Sequence, residues 1–553
     1  MTLSDNFKIK FLASLVALNG LILLGDSLRI NFHIHTGLSF SKLYLTLPVL
    51  IGISLVYLSI QLMRVKKTAL IASIILYVIY LTSSIRIIFS KPINHNLLPM
   101  LLIKSFFIPL LIIILLLTWR QYYKVKSDIS GFKVSIVIAS TVLIIAIIYG
   151  TTGFLLMDNS DFHQELSFFT SLHYTLDQFN LTTTHPLIAY SNRAKIFLDS
   201  LTTISIGAIV YVILALFQPL KSRLSDQNHR KQELMSLMEN YPCHSEDYFK
   251  LWPNDKHYFI NDAKNSILAY KVTSGIALCL GDPIGKSTTF NKLIHDFENI
   301  CFINDWSVAF IHIKNDHKKI YQNLDFKLQK IGQEAVVDID NFVLNVKSNK
   351  YFRNIITKFE KQGFISEILI PPHHPAIIKR LKEISDDWLK LPGRSERGFA
   401  MGYFDTDYLN MCQIFVIRDA ANTIQAFSNI VPAEFDKNEA TYDLLRNSKD
   451  NISNINDYLL IKLIDHLKTN NYTSLNLGLC PLVGLKNDDD QSVINNILNF
   501  AYSNGNRFYS FSGLYRFKAK YDPLWRDRYV AYHGNITGFV KVMNALVRSM
   551  KVK

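Results

Sequence analysis

Cations and aromatic side chains alternate near the end of this 553-residue chain. Aromatic rings at such a density need a packed surface, whereas the cations need a polyanion or solvent. The combination predicts a groove that binds phosphates and stacks a base or a sugar. A solvated basic terminus is the alternative that charge alone leaves open. The residues concerned are Arg507, Phe511, Tyr515, Arg516, Phe517, Lys518, Lys520, Tyr521, Trp525, Arg526, Arg528 and Tyr529.

The positive charge of the second half of the chain is concentrated at this end. From residue 506 onward there are ten Lys or Arg residues and two acidic ones, a surplus of eight. Residues 219–505 hold 33 basic and 35 acidic residues, so that stretch is nearly neutral. A concentrated charge of this kind favours an anionic partner.

The first 220 residues predict a multi-pass α-helical membrane domain. Six apolar runs lie there, and most of them reach the ~20 residues that a helix needs to cross a bilayer. Every second loop between them is basic, so both termini are expected on the cytoplasmic side. The runs are Leu12–Leu24, Leu43–Met63, Ala69–Phe89, Leu97–Trp119, Val134–Met157 and Ile196–Leu220.

After Pro219 the pattern changes to short strands, turns and amphipathic helices, which predicts an α/β fold. One long strand is expected over Ser266–Leu280. Two similar cycles of strands and helices suggest a duplicated unit with its join near residue 392. We therefore expect domains over residues 221–392 and 393–553, the second ending in the basic aromatic segment.

Seven short blocks of sequence occur in the order typical of one known family. The chain resembles the phosphatidylglycerol lysyltransferases, also called multiple peptide resistance factors, which include members that transfer alanine. This resemblance implies two tandem acetyltransferase-like (GNAT) folds in the second half. The blocks are Leu280–Gly285, Ile331–Asp338, Ile384–Leu389, Glu396–Asp405, Ala440–Arg446, Leu475–Gly484 and Gly513–Tyr532.

The resemblance implies transfer of an amino acid, lysine or alanine, from aminoacyl-tRNA to the glycerol hydroxyl of phosphatidylglycerol. That reaction would change the lipid surface charge and the resistance to cationic peptides, at the bacterial cytoplasmic membrane. The full-length family has further N-terminal spans that form a lipid flippase. This chain is expected to be a short form with only six spans, so flippase activity is not carried over.

The same resemblance implies the site residues. Asp443 and Arg446 match the family's Asp-x-x-Arg and are the catalytic candidates; three residues apart, they would face the same way on a helix. A structural ion pair is the alternative for these two. The candidates for binding the lipid phosphate or the tRNA end are Lys518, Lys520, Arg528 and Arg516. Acidic residues that could recognise the incoming amino group are Glu396, Glu434, Asp436 and Glu439.

No cofactor and no metal is expected, because the exchange of one ester for another needs only aminoacyl-tRNA as co-substrate. The expected partners are aminoacyl-tRNA, phosphatidylglycerol and the lipid bilayer, and a homo-oligomer is left open. Two alternatives remain. One is a tandem-GNAT aminoacyltransferase that acts on another lipid or on a peptidoglycan precursor. The other is a non-catalytic, membrane-tethered protein that binds RNA or lipid.

Overall fold

The computed structural model describes residues 3–34, 47–90, 99, 102–127, 129–164, 166–179, 188–217, 227–448, 452–484 and 511–552. The chain divides into two compact units. The first holds residues 1–221 with 302–305, and the second holds residues 222–301 and 306–553.

The first unit is built of helices. They are α1 (Leu3–Ile34), α2 (Leu47–Met63), α3 (Lys67–Ser90), a π turn (Ile103–Phe107) that leads into α4 (Ile108–Thr118), α5 (Ile129–Leu155), α6 (Asn159–Phe162), α7 (Phe168–Phe179) and α8 (Asn192–Ala215).

The described residues of each of the six predicted apolar runs overlap one of these helices. Among the described residues, three helical stretches are long and apolar enough to cross a membrane: Asp5–Gly25, Val134–Leu155 and Asn192–Ala215. The other three runs correspond to shorter apolar stretches at Ile51–Met63, Lys67–Thr82 and Ile103–Thr118. These apolar helices fit a membrane protein, and six crossings remain a prediction.

Helices α1 and α2 approach each other closely through two glycines. A Cβ atom added to Gly20 would lie 2.8 Å from the carbonyl oxygen of Gly52, and one on Gly52 would lie 2.9 Å from the oxygen of Gly20. Small residues at such crossings let helix backbones pack directly, which is the usual way in which helices associate in lipid.

Twelve strands lie among the described residues of the second unit. They are β1 (His257–Ile260), β2 (Ser266–Thr273), β3 (Ile276–Leu280), β4 (Ile284–Gly285), β5 (Ser307–Lys314), β6 (Lys327–Asp338), β7 (Ile365–Leu369), β8 (Gln413–Arg418), β9 (Ile424–Ile430), β10 (Glu439–Asn447), β11 (Ser474–Pro481) and β12 (Leu524–Tyr532).

Helices cover this sheet and connect its strands. They are α9 (Gln227–Asn240), α10 (Phe290–Ile303), α11 (Lys318–Gln322), α12 (Ile339–Asn341), α13 (Lys350–Lys361), α14 (Pro375–Leu389), α15 (Thr406–Leu409), α16 (Ile455–Thr469), α17 (Phe511–Ala519) and α18 (Ile536–Ser549). A 3₁₀ segment, Ser245–Lys250, precedes β1 and is important for the site.

The strands form one mixed sheet in the order β1-β2-β3-β5-β12-β6-β11-β10-β9-β8-β7, with β4 beside β2. The single strand expected over Ser266–Leu280 is wrong, because β2 and β3 form an antiparallel hairpin there. Ser274 and Gly275 both have positive φ, at 54° and 76°. That conformation makes the tight turn whose twist suits a two-residue hairpin.

The last strand, β12, lies between β5 and β6 and runs antiparallel to both. Residues from the end of the chain therefore become neighbours of residues from the first cycle of strands. The sheet is continuous past residue 392, since β7 pairs with β8 and β6 pairs with β11. The division into domains at that residue remains a prediction.

Candidate active site

Asp443 and Arg446 lie on strand β10 and not on a helix, so the helical interpretation of their spacing is wrong. On a regular strand, residues three apart point to opposite faces. The pairing of β10 with β9 shifts between Tyr442 and Leu445, which is a bulge that adds one residue. The side chain of Asn429 accepts the Leu444 N–H at 2.8 Å inside this bulge. The extra residue brings Asp443 and Arg446 to the same side of the sheet.

The carboxylate of Asp443 is held by two hydrogen-bond donors. The hydroxyl of Tyr408 donates to Oδ2 at 3.1 Å, and the backbone N–H of Gly402 also donates. Burial raises the pKa of Asp443 to about 6, although the hydrogen bonds and Arg446 oppose this rise. A carboxyl group with such a pKa is ionised at neutral pH and can still accept a proton effectively, as a general base must.

Gly402 leaves room for that carboxylate. A Cβ atom at this position would lie 2.1 Å from Asp443 Oδ2 and 2.7 Å from the ring of Tyr408. Any side chain here would displace one of the two groups.

Arg446 pairs with Glu396 and not with Asp443. Its two terminal nitrogens donate to the two Glu396 oxygens at 2.9 and 2.7 Å. The guanidinium also donates to the hydroxyl of Ser385 and lies 4.9 Å from the ring centre of Trp388 on helix α14. A bidentate, stacked arrangement fixes the plane of the guanidinium. Arg446 thereby attaches α14 and the segment around Glu396 to β10, beside Asp443.

Arg528 lies in the middle of the sheet on β12, between two carboxylates. Its register partner on β6 is Gly332, which has no side chain, and Glu334 lies two residues further along the same face. The guanidinium donates to Glu334 and, at 3.0 Å, to Glu246 of the 3₁₀ segment. Only 4% of the Arg528 side chain is exposed. His312 Nδ1 lies 3.4 Å from the second oxygen of Glu246.

The pKa values of Glu246 and Glu334 are shifted in opposite directions. Burial and the nearby charge of Glu246 raise the pKa of Glu334 well above its ordinary value. Burial acts the same way on Glu246, but Arg528 holds the pKa of Glu246 well below its ordinary value. Glu334 is therefore the member of the pair that is protonated more readily, and Glu246 is the member that ionises more readily.

The 3₁₀ segment Ser245–Lys250 joins the Arg528 group to the Asp443 group. Its Glu246 pairs with Arg528, and its Ser245 donates a 3.0 Å hydrogen bond to Glu439 on β10. Its Tyr248 stacks with Tyr408 at a centroid distance of 6.5 Å, and Tyr408 holds Asp443. We treat the two groups as one candidate site on that basis.

The four predicted phosphate-binding cations lie in different surroundings. Lys518 is buried on α17 and donates to the carbonyl oxygens of Gly478 and Leu479 at 2.9 and 3.2 Å. Burial lowers its pKa, which the charge of Glu334 partly offsets. Glu334 acts electrostatically on both Lys518 and Arg528. The structure therefore brings these two cations to the same region.

Lys520 and Arg516 lie elsewhere. The ammonium group of Lys520 pairs with Asp457 at the start of α16, contacts the Tyr351 hydroxyl at 3.1 Å and lies over the Phe517 ring. Arg516 is exposed on α17, where its Nε donates to the Ser512 carbonyl at 3.4 Å. Next to it, Tyr515 stacks on Trp525 with ring centres 5.0 Å apart. Binding of a phosphate and a base by this exposed cation and aromatic pair remains a prediction.

The acidic residues suggested for the amino group do not form one pocket. Glu396 is paired with Arg446, and Glu439 is paired with Arg526 at 2.8 Å. Asp436 accepts two backbone N–H groups, and Glu434 is exposed.

Two groups of side chains among the described residues have metal-ligand geometry. They are Glu246 with His312 and Glu334, and His244 with Asp436 and Glu439. In each group a glutamate is already paired with an arginine, Arg528 in the first and Arg526 in the second. The guanidinium already neutralises the carboxylate charge that a metal ion would need for binding. The prediction that no metal is required remains a prediction.

The sequence reasoning missed Glu246, Glu334, His312 and Tyr408. Glu334 had a usable signal, because it is a lone acidic residue inside the apolar strand Ile331–Val337. A charge in such a strand needs a buried partner. The other three had no local signal, since their partners are distant in the chain.

Comparisons with known proteins identify the family of this chain. Residues 236–532 match the family model described as "Phosphatidylglycerol lysyltransferase, C-terminal". The match covers more than half of the chain and includes every residue of the candidate site. The chain belongs to this family.

Curated relatives of this family member are longer than the chain. The phosphatidylglycerol lysyltransferase of Bacillus subtilis (strain 168) is 32% identical over 281 residues, which are 51% of this chain and 32% of the relative. The phosphatidylglycerol lysyltransferase of Staphylococcus aureus (strain MRSA252) is 28% identical over 367 residues, 66% of this chain and 42% of the relative. The chain therefore matches about a third to two fifths of their length.

Solved structures cover the second unit. L-PGS from Bacillus licheniformis aligns with a TM-score of 0.50 and 29% identity, over 57% of this chain and 97% of that one. The C-terminal domain of a putative lysylphosphatidylglycerol synthetase from Agrobacterium fabrum gives a TM-score of 0.50 and 26% identity, over 58% and 96%. The predicted fold class, an α-helical part followed by α/β tandem acetyltransferase-like folds, is confirmed.

Proposed function

We propose that this chain transfers lysine from aminoacyl-tRNA to the glycerol hydroxyl of phosphatidylglycerol. The observation that carries the proposal is the match to the family model, which extends over residues 236–532 and includes Asp443 with its hydrogen-bond donors. Lysine is preferred to alanine because both curated relatives are named lysyltransferases.

The reaction is an exchange of one ester for another. A glycerol hydroxyl of the lipid attacks the carbonyl carbon of the aminoacyl ester, and the new C–O bond forms there. The bond from that carbon to the terminal ribose oxygen of the tRNA then breaks. The proton removed from the glycerol hydroxyl goes to the leaving ribose oxygen, so no cofactor and no energy source is consumed.

Asp443 is the proposed general base for this proton. Its pKa of about 6 leaves it ionised at neutral pH, while Tyr408 and Gly402 keep its oxygens in place. Arg446 acts as a positioning residue, because its pairing with Glu396 fixes the wall beside Asp443. We assign Arg528 and Lys518, which are buried, to the positive charge near the phosphate of the lipid, and exposed Arg516 to the positive charge that meets the tRNA end.

The lipid acceptor accounts for the apolar helices of the first unit. An anionic phospholipid must reach the site from a bilayer, and aminoacyl-tRNA is found in the cytoplasm. We propose that the apolar helices cross the membrane with both termini on the cytoplasmic side, as the alternating basic loops predict. Reporter fusions after Lys67, Arg120 and Lys231 should then give a cytoplasmic signal, and one near Asp161 an external signal.

Lysine would reverse the charge of the lipid headgroup. Phosphatidylglycerol carries one negative charge, and a lysyl ester adds two ammonium groups, which gives a net charge of about +1 at neutral pH. A bilayer that contains the product attracts cationic peptides less strongly.

Mass spectrometry of lipid extracts tests this function. Cells that express the chain should contain a phosphatidylglycerol species heavier by one lysyl residue, and cells that express Asp443→Asn should lack it. An alanyl species would correct the amino acid. A different modified lipid would favour the alternative acceptor, and unchanged lipids despite stable protein would favour the non-catalytic alternative.

A further inference from the structure

The last helix, α18, has an exposed face that the transfer chemistry does not use. Its inner face packs Phe539, Val542 and Ala545 into the core over β2, β3 and β12. Branched aliphatic side chains lie on its outer face, with Val540 and Val547 exposed by 53% and 57%. Most surface helices place polar residues in such positions.

Exposed cations lie on one side of this aliphatic stripe. At about 100° per residue, Ile536, Val540 and Val547 lie within an arc of roughly 40°. Lys541 and Arg548 lie roughly 80–100° around the helix from the edge of that arc. Both are exposed, as is Lys551 just after the helix. The sequence 536–552 contains no acidic residue.

The structure also shows where the surplus charge of the C-terminal region is displayed. Lys518 donates to backbone carbonyls, and Lys520 pairs with Asp457. Arg526 and Arg528 pair with glutamates. Most of the cations before residue 530 therefore have internal partners. Lys541 and Arg548 of α18 are exposed, and Arg548 donates to the Ser274 hydroxyl at 3.1 Å.

We propose that this face of α18 docks on the surface of a bilayer that contains anionic phospholipid. Branched aliphatic side chains can enter the boundary between headgroups and acyl chains, while the exposed cations pair with lipid phosphates. A nucleic-acid surface fits less well, because single-stranded bases need aromatic rings to stack on, and this stripe has none. The proposal does not depend on the transfer reaction.

Site-specific quenching tests this docking in the full chain. An environment-sensitive fluorophore is placed at Val547→Cys, and the protein is reconstituted in nanodiscs with nitroxide-labelled lipid. The matched control is Leu344→Cys, which is 75% exposed on another element. Cys243 is half-buried, whereas the other four cysteines are buried. The unsubstituted chain therefore serves to correct for labelling of Cys243.

We expect quenching at position 547 to exceed that at 344 by at least threefold in discs that contain phosphatidylglycerol. The quenching at position 547 should decrease in phosphatidylcholine discs and at high salt. Each of Lys541→Glu and Arg548→Glu should reduce the docked fraction, since one cation near an anionic surface contributes roughly fivefold in partitioning. Equal quenching at the two positions would overturn the proposal.

Protection of position 547 by added tRNA, with no dependence on lipid charge, would assign the face to RNA and also overturn the proposal. Transfer activity is measured on the same samples. If the chain without these charge reversals transfers lysine but does not dock, this inference alone fails. If it docks but transfers no lysine, the proposed function alone fails.

Discussion

The hydroxyl of Tyr408 donates a 3.1 Å hydrogen bond to Asp443. Trp252 stacks on the Tyr408 ring at a centroid distance of 5.0 Å with an interplanar angle of 13°, so the tyrosine is held in place. The contact joins a buried acid, whose pKa is raised to about 6, to an aromatic cluster that positions it. It makes the ionisation of Asp443 sensitive to a residue that needs no direct contact with substrate.

The pH dependence of transfer should report this contact. The wild-type rate should rise as pH increases through about 6, because the base acts only when ionised. Asp443→Asn should lose more than ~100-fold in rate. Tyr408→Phe removes a hydrogen bond that stabilises the charged form, so the rise should move to higher pH. Tyr351→Phe is the control, because the Tyr351 hydroxyl donates to Asp457 and not to Asp443. If the pH–rate profile of Tyr408→Phe coincides with that of the wild type, Asp443 is not the general base.

A methyl group at position 402 should be enough to disable the site. Gly402→Ala would place Cβ 2.1 Å from Asp443 Oδ2, so the carboxylate must move. Gly398→Ala is the matched control, because its Cβ would meet its nearest neighbour at an ordinary 3.6 Å. We expect the first variant to lose at least tenfold in initial transfer rate and the second to keep it. Similar rates in both variants would show that the Asp443 position is not critical.

The two glutamates beside Arg528 should respond differently to the same substitution. The raised pKa of Glu334 favours its protonated form, so Glu334→Gln keeps a neutral donor and should change the free energy of unfolding by less than ~1 kcal/mol. Glu246 is ionised, so Glu246→Gln removes the charge partner of a buried arginine and should cost roughly 3–5 kcal/mol. Thermal unfolding of the two variants in the same detergent compares them. Equal destabilisation would contradict a neutral Glu334 beside an ionised Glu246.

Salt titration of tRNA binding should separate the exposed cation from the buried one. Each phosphate contact contributes roughly 0.7–0.9 to the slope of log affinity against log salt. Arg516→Ala should flatten the slope by about that amount. Lys518→Ala should leave the slope unchanged, because its ammonium group is already bound to two carbonyls. Lys390→Ala is the control, because Lys390 is an exposed lysine directly after the last residue of α14. A flattened slope for Lys518→Ala alone would reverse the two roles.

Local signals in the sequence located the apolar helices and the α/β half. Asp443 and Arg446 were suggested by the resemblance to a known family, and their catalytic roles remain a prediction. The local signals failed where distant chain segments decide the outcome. The bulge in β10 depends on Asn429 of the neighbouring strand, and the partner of Arg446 is Glu396, fifty residues earlier. The insertion of β12 between β5 and β6, which brings Arg528 to Glu334, likewise has no local signal. The segment 485–510, which includes the candidate cation Arg507, lies outside the described residues.

Direct transfer of label from tRNA to lipid tests the central claim. Purified full-length chain is reconstituted with phosphatidylglycerol and given lysyl-tRNA that carries radiolabelled lysine, and the label is counted in the organic phase. We predict time-dependent lipid label that stops when ribonuclease is added and is absent with Asp443→Asn. Label that never enters the lipid with folded protein, or that continues to accumulate after the tRNA is degraded, would contradict the account.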